Sequence, residues 1–285
     1  MPANLVRNLR TLGRQLRSAK TVLGRSGSPS PACAYLATAM PLVHSRSTRD
    51  LNKIAEDPAG IGPHLLSSER LDYHRIKPLN MRSAEVALGT HTMVFLYCGQ
   101  FRYPETAVGF VFSDNLERTR GDVCRAAPFD TGALHKVADW PSSATETAID
   151  FLDRHYLPVP AYREHLAERL HYLFPIPYDY LHPMSGPLPG DPIGLTPKPG
   201  ESLDERAWTF EVQAPDQVPL DHHHLAAVVP VKRANRNKRV RSMLANLEAK
   251  SVKMDWFSSR SKAQDFGKLQ RKYLAYLGGK GILPP

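Results

Sequence analysis

The chain has 285 residues, 42% of them apolar, and a formal charge of +9. That length suits one large domain or two small ones with an ordinary core, so a globular chain is expected. No apolar run approaches the ~20 residues that a bilayer span requires, and a transmembrane helix is not expected. Three cysteines, Cys33, Cys98 and Cys124, show neither paired nor metal-type spacing, which argues against a disulfide framework and for the reducing cytoplasm.

The distribution of charge says more than its total. Residues 1–25 carry six Arg/Lys and no acid, and residues 231–285 carry fourteen against three, so the stretch between them has a balance of −8. A mildly acidic body between two basic ends would meet a polyanion such as nucleic acid, or a protein partner, through those ends.

Taken in order, Leu5, Leu9, Leu12, Leu16 and Leu23 fall at helical spacing among Arg7, Arg10, Arg14, Arg17 and Lys20. This predicts a basic amphipathic helix over 1–25 whose leucines dock on a partner, on a second copy or on the chain's own body. Ser26–Pro31 reads as a linker, opening a connecting segment over 26–64. A core domain is expected over 65–230. Its first strand, Leu71–Ile76, holds His74 and Arg75, a pair suited to a phosphate or a ribose hydroxyl. Thr92–Tyr97 and Val108–Phe112 are β-rich apolar runs. The loop between them carries Arg102 and Tyr103, placed for ligand contact.

Pro128-Phe129-Asp130-Thr131-Gly132-Ala133 resembles the catalytic loop of aspartic proteases, where two aspartates share a proton. No second Asp-Thr-Gly follows, so the motif reads first as a turn that Asp130 caps, and an aspartic-protease-like hydrolase using Asp130 comes after it. Ala144–Tyr156 and Tyr162–Phe174 have helical periodicity. The proline-rich stretch Phe174–Pro199 reads as a long irregular loop.

Glu201–Pro230 joins two expected strands. In Ala207–Gln213 the alternation places Trp208, Phe210 and Val212 on one face, so Glu211 projects from the polar face. Leu225–Pro230 reads as a buried strand. Between them, His222, His223 and His224 on an extended segment would point alternately to opposite faces, and no metal is expected. Beyond Pro230 lie Lys232, Arg233, Arg236, Lys238, Arg239 and Arg241, candidate phosphate-binding bases leading into a helix to about Lys250. A second helix is expected around Ser261–Leu277, stopped by Gly278-Gly279. The fold expected is α+β: a central, mainly antiparallel sheet from 71–112 and 207–230, helices 144–174 between its halves, and basic helices at both termini, the second in 231–285.

An early His-Arg pair, a middle loop with Arg and Tyr, and a late-strand glutamate resemble in their order the ADP-ribosyltransferase family. The resemblance implies NAD as substrate, with His74 or Arg75 gripping it, Tyr103 walling the nicotinamide, and Glu211 ionised beside the oxocarbenium-like centre. It implies a transferase or NAD glycohydrolase of the toxin or antiviral-defence kind. Thr209 stands where many members carry Glu or Gln, and there is no Ser-Thr-Ser. The Tyr97–Tyr103 and Pro128–Ala133 segments also resemble those of uncharacterised bacterial proteins. From a different class, the chain reads as a non-catalytic nucleic-acid-binding or assembly subunit.

Overall fold

A computed structural model describes residues 27–47, 63–67, 69–70, 89–101, 108–121, 123–131, 155–182, 199–200, 205–261 and 264–283. In chain order these contain helix α1 (Pro31–Ala39) and strands β1 (Leu42–Arg46), β2 (His64–Leu66), β3 (Met93–Cys98) and β4 (Val108–Phe112). Helix α2 (Asn115–Arg120), strands β5 (Arg125–Ala127) and β6 (Leu157–Pro158), and helix α3 (Val159–Leu173) follow. Then come strands β7 (Glu211–Pro215), β8 (Gln217–Pro219) and β9 (Leu225–Pro230), helix α4 (Lys238–Ala249), strand β10 (Lys253–Met254) and helix α5 (Asp265–Gly279). The fold is α+β, and its strand pairings are mainly antiparallel, with β9 and β10 parallel. The leucine helix expected over 5–23, the strand Leu71–Ile76 and most of the helix expected over 144–156 lie outside the described residues. Among the described residues no helix is long and apolar enough to cross a membrane.

The chain divides into two compact units. The first draws its described residues from 1–40, 80–91 and 121–213. Ser30 starts α1 by accepting the amide of Cys33 at 3.3 Å, with Pro31 already holding a helical φ. The SGSPSP stretch therefore runs into a helix. On α3, Tyr162, His165, Leu166, Arg169, Leu170 and Leu173 form the buried stripe. Arg163 leaves that stripe and donates to the carbonyls of Ala37 and Met40 at 2.7 and 2.6 Å, where α1 runs out of partners of its own.

The strand expected from Ala207 begins only at Glu211, because the preceding groups are used otherwise. Glu205–Trp208 is a 3-10 turn, closed when the Thr209 amide donates to Arg206 O at 3.2 Å. The Phe210 amide donates to the Tyr180 hydroxyl at 3.2 Å. β7 then pairs with β5, Glu211 opposite Ala127 and Gln213 opposite Arg125, and β5 pairs with β6.

The second unit, from 41–79, 92–120 and 214–285, holds strands in the order β10-β9-β4-β1-β3. Val108–Phe112 and Leu225–Pro230 form at the expected bounds, and both are buried almost throughout, as continuous apolar runs require. A bulge interrupts their pairing at Val111/Phe112. β2 and β8 make a separate pair. Beside them Arg70 donates from Nε and Nη2 to the two carboxylate oxygens of Asp216, at 2.5 and 2.6 Å. Asp216 itself has a left-handed φ of 66°. β9, α4 and β10 form a strand-helix-strand crossover, which the parallel pair demands. α4 buries Val240, Met243, Leu244 and Leu247, and α5 buries Leu269, Tyr273, Tyr276 and Leu277.

Candidate functional site

Two places gather groups able to do chemistry, one in each unit. In the first unit, strand alternation puts Glu211 and Gln213 on the same face of β7, and both are buried. Thr131 donates its hydroxyl to Glu211 Oε1 at 2.8 Å, and Gln213 Nε2 donates to the same oxygen at 2.6 Å. Gln213 Nε2 also approaches Thr131 Oγ1 at 3.3 Å. On the far side of its amide, Gln213 Oε1 accepts from Arg125 Nε at 2.8 Å and from the Tyr156 hydroxyl at 2.9 Å. The Arg125 guanidinium lies over the Tyr156 ring, 4.1 Å from its centre. Glu211 is thus the end of a side-chain chain running through Gln213 to Arg125.

Burial first, and the charge of Asp130 second, hold the Glu211 carboxyl well above the usual glutamate range, while the bonds from Gln213 and Thr131 act in the opposite sense. The site thus favours the protonated form of Glu211 over the carboxylate more than water does. The face of β7 that carries Glu211 is polar but not solvated, since the residue is 1% exposed. The Asp130-Thr131 part of the protease-like motif is also buried, and the second carboxyl it meets belongs to Glu211 and not to another Asp-Thr-Gly. Asp130 donates its amide to Arg206 O at 2.9 Å. Close by in the fold of this unit, Phe210 is flanked by Tyr162, by His165 and by the Arg169 guanidinium at 5.1 Å.

Of the residues expected to grip NAD, His74, Arg75, Arg102 and Tyr103 lie outside the described residues. The triple histidine lies in a turn and not on an extended segment. Asp221 Oδ1 accepts the amides of His223 and His224 at 2.9 and 3.1 Å and lies 2.9 Å from His224 Nδ1. It is a turn-capping aspartate, and its pKa is lowered: partial burial acts upward, and the bonds and charge of His224 outweigh it. Among the described residues no group of His, Cys, Asp or Glu is arranged to hold a metal.

In the second unit the basic segment takes shape directly after β9. Lys232–Arg236 is a 3-10 turn, and Asn237 caps α4 by accepting the amides of Arg239 and Val240 at 2.9 and 3.2 Å. Lys232, Arg236, Lys238, Arg239 and Arg241 are exposed. Arg233 differs: Nη1 donates to Asp265 Oδ1 at 2.8 Å, and Nη2 donates to Oδ2. Burial and the neighbouring Arg236 charge lower the Arg233 pKa from its usual value. The other aspartate of the C-terminal segment, Asp255, accepts from Lys272 Nζ at 2.8 Å. Both aspartates of 231–285 are thus neutralised within the segment, and the surplus of cations is left at its surface.

The sequence pointed to all six bases but not to Asp265, thirty-two positions further on, for which no local signal existed. It also passed over Arg125, Tyr156 and Gln213. Only the i, i+2 relation of Gln213 to Glu211 was there to be read. Comparison with family models, with curated proteins and with solved structures finds no match.

Proposed function

We propose that this chain is a nucleic-acid-binding module that meets the phosphate backbone through the turn after β9 and the first turn of α4. The observation that carries the reading is where the charge lies. α4 has no acid in its first turn, and Lys238, Arg239 and Arg241 stand at the end of the helix that already carries the positive half of its dipole. Cations there oppose folding by about 0.3–1 kcal/mol each, and an external anion reverses the sign. The position, past the carboxyl end of a strand and at the start of a crossover helix, is where α/β folds bind phosphates. Lys238 and Arg241 are one helical step apart on the same side of α4, and with Lys232 and Arg236 they make no ion pair among the described residues. Nucleic acid as ligand also accords with the cytoplasmic setting expected from the cysteines. The test is a DNA-binding titration over a range of salt, comparing the native chain with one in which Lys232, Arg236, Lys238 and Arg241 are all alanine.

A second reading keeps the NAD-consuming transferase or glycohydrolase, and the observation favouring it is the Glu211 carboxyl set among Thr131, Gln213 and Asp130. Strongly shifted acids held in a polar cluster are what acid-base chemistry uses. The same pair of carboxyls is what an Asp130 hydrolase would need. In the NAD reaction Glu211 acts as the carboxylate beside the positive charge developing on the ribose, its proton having gone to water beforehand, so with a raised pKa cleavage is expected to quicken with rising pH. Incubation with NAD and detection of free nicotinamide tests this. Equal release by the native chain and by Glu211→Gln removes Glu211 from the reaction.

A further inference from the structure

Of the six bases in the C-terminal cluster, Arg233 is the one turned inward. Its partner Asp265 is 1% exposed and is the first residue of α5. The turn that Arg233 belongs to is otherwise tied to its surroundings through backbone: the Lys232 amide donates to Phe257 O at 2.8 Å, and the Phe257 amide donates to Pro230 O at 3.1 Å. Those two bonds fix where the turn begins. Its far end, with Arg236 and the entry to α4, is closed within the turn by the Asn237 amide donating to Ala234 O at 3.4 Å and by the burial of Ala234, and the side chain of Arg233 ties the turn to α5. A guanidinium bonded through both forks to one carboxylate has its rotation fixed as well as its position.

We propose that Arg233 is a positioning residue and does not itself touch phosphate: its two-pronged bond to buried Asp265 sets the turn so that Lys232, Arg236, Lys238 and Arg241 meet one polyanion together. This corrects the expectation that all six bases touch nucleic acid, and it rests on the nucleic-acid reading above. Charge alone and positioning make opposite forecasts here. Removing the negative charge of Asp265 raises the net charge by one, which would tighten binding if only charge counted. If the pair orients the turn, the same change weakens binding.

The experiment is a fluorescence-anisotropy titration of a labelled short DNA duplex over a range of salt. It uses the native chain, Arg233→Lys, Asp265→Asn, the fourfold alanine variant of the exposed cations, and Asp114→Asn. Asp114→Asn breaks only an exposed ion pair with Arg118 on α2 and serves as the control for charge. Arg233→Lys keeps the charge and a single bond to Asp265, so it carries the test even if Asp265→Asn melts early in a thermal scan. A turn that no longer holds two of its cations against phosphates would bind about tenfold more weakly at low salt, and the slope of log affinity against log salt would shrink by about 1–2. Asp114→Asn should bind as the native chain does, or slightly tighter. The proposal is overturned if folded Arg233→Lys keeps both native affinity and native slope while the fourfold variant does not. If the native chain binds no better than the fourfold variant, the nucleic-acid reading fails and takes the role of Arg233 with it.

Discussion

Gly109, in the middle of β4, has the sharpest structural consequence. A Cβ built there would lie 2.6 Å from Phe101 Cζ, 2.9 Å from Cε1 and 3.1 Å from Leu269 Cδ1. Phe101 cannot swing clear at little cost, because it is buried and meets the Tyr273 ring edge-on with centres 4.8 Å apart. Gly109→Ala must therefore displace the Phe101 ring, disturbing its contact with Tyr273, or shift the β4 backbone. Overpacking of that kind costs about 2–3 kcal/mol, the upper part of the usual range, since rings and not a flexible side-chain end are met. The lower entropy of alanine in the unfolded chain returns about 0.4–1 kcal/mol. A net loss of about 2 kcal/mol corresponds to a melting temperature lower by about 4–8 °C for a chain of this size. Urea unfolding of Gly109→Ala, Phe101→Leu and the double variant would measure it. The smaller leucine should relieve the clash, so the double variant should be more stable than the sum of the single losses by about 1 kcal/mol or more. A stability within about 0.5 kcal/mol of native for Gly109→Ala, or strict additivity, refutes the packing described.

Acid and base act on the fold through two buried groups. Glu211 has its folded-state pKa raised, so the stability it contributes is fully present below the unfolded-state value of about 4.3 and is lost as pH rises toward the folded-state value. Glu211→Gln should remove that loss, and its urea midpoint relative to native should climb with pH. A constant difference contradicts the raised pKa of Glu211. His44 is the reverse case. Burial, then the Arg46 charge, lower its pKa well below the usual value against the bond between Nδ1 and Phe95 O at 2.7 Å. Its contribution is present above about pH 6.5 and is lost on acidification. His44→Gln should flatten the acid side of the stability profile, and an unchanged acid midpoint contradicts the assignment.

The elements legible in sequence were those whose pattern is local and strong. Val108–Phe112 and Leu225–Pro230 are apolar runs bounded by turn residues, and α3 and α4 repeat their apolar positions every three to four residues. β1 was not legible although β3 and β4 flank it on both sides. Leu42–Arg46 is five residues long and includes His44 and Ser45, which are buried all the same, so its polarity hid its position. β7 was misplaced because alternation over 207–213 reads as a strand, while the actual backbone bonds of Thr209 and Phe210 go to a turn and to the Tyr180 hydroxyl. α5 runs through Gly278 and Gly279, which were expected to stop it; the Lys280 amide bonds back to the carbonyls of Gly278, Leu277 and Tyr276. Of the candidate site, the basic cluster was visible because charge density is a property of the sequence. The partnership of Arg233 with Asp265, and of Glu211 with Thr131, was not, because both join distant segments.

The most direct measurement is the salt dependence of DNA binding by the native chain and by the variant with Lys232, Arg236, Lys238 and Arg241 all changed to alanine. If these four cations each neutralise a phosphate, the slope of log affinity against log salt should shrink by about 3–4 in the variant, with affinity falling alike for every DNA sequence. Native and variant chains with the same slope, or a native chain with no affinity for DNA at low salt, would contradict the account.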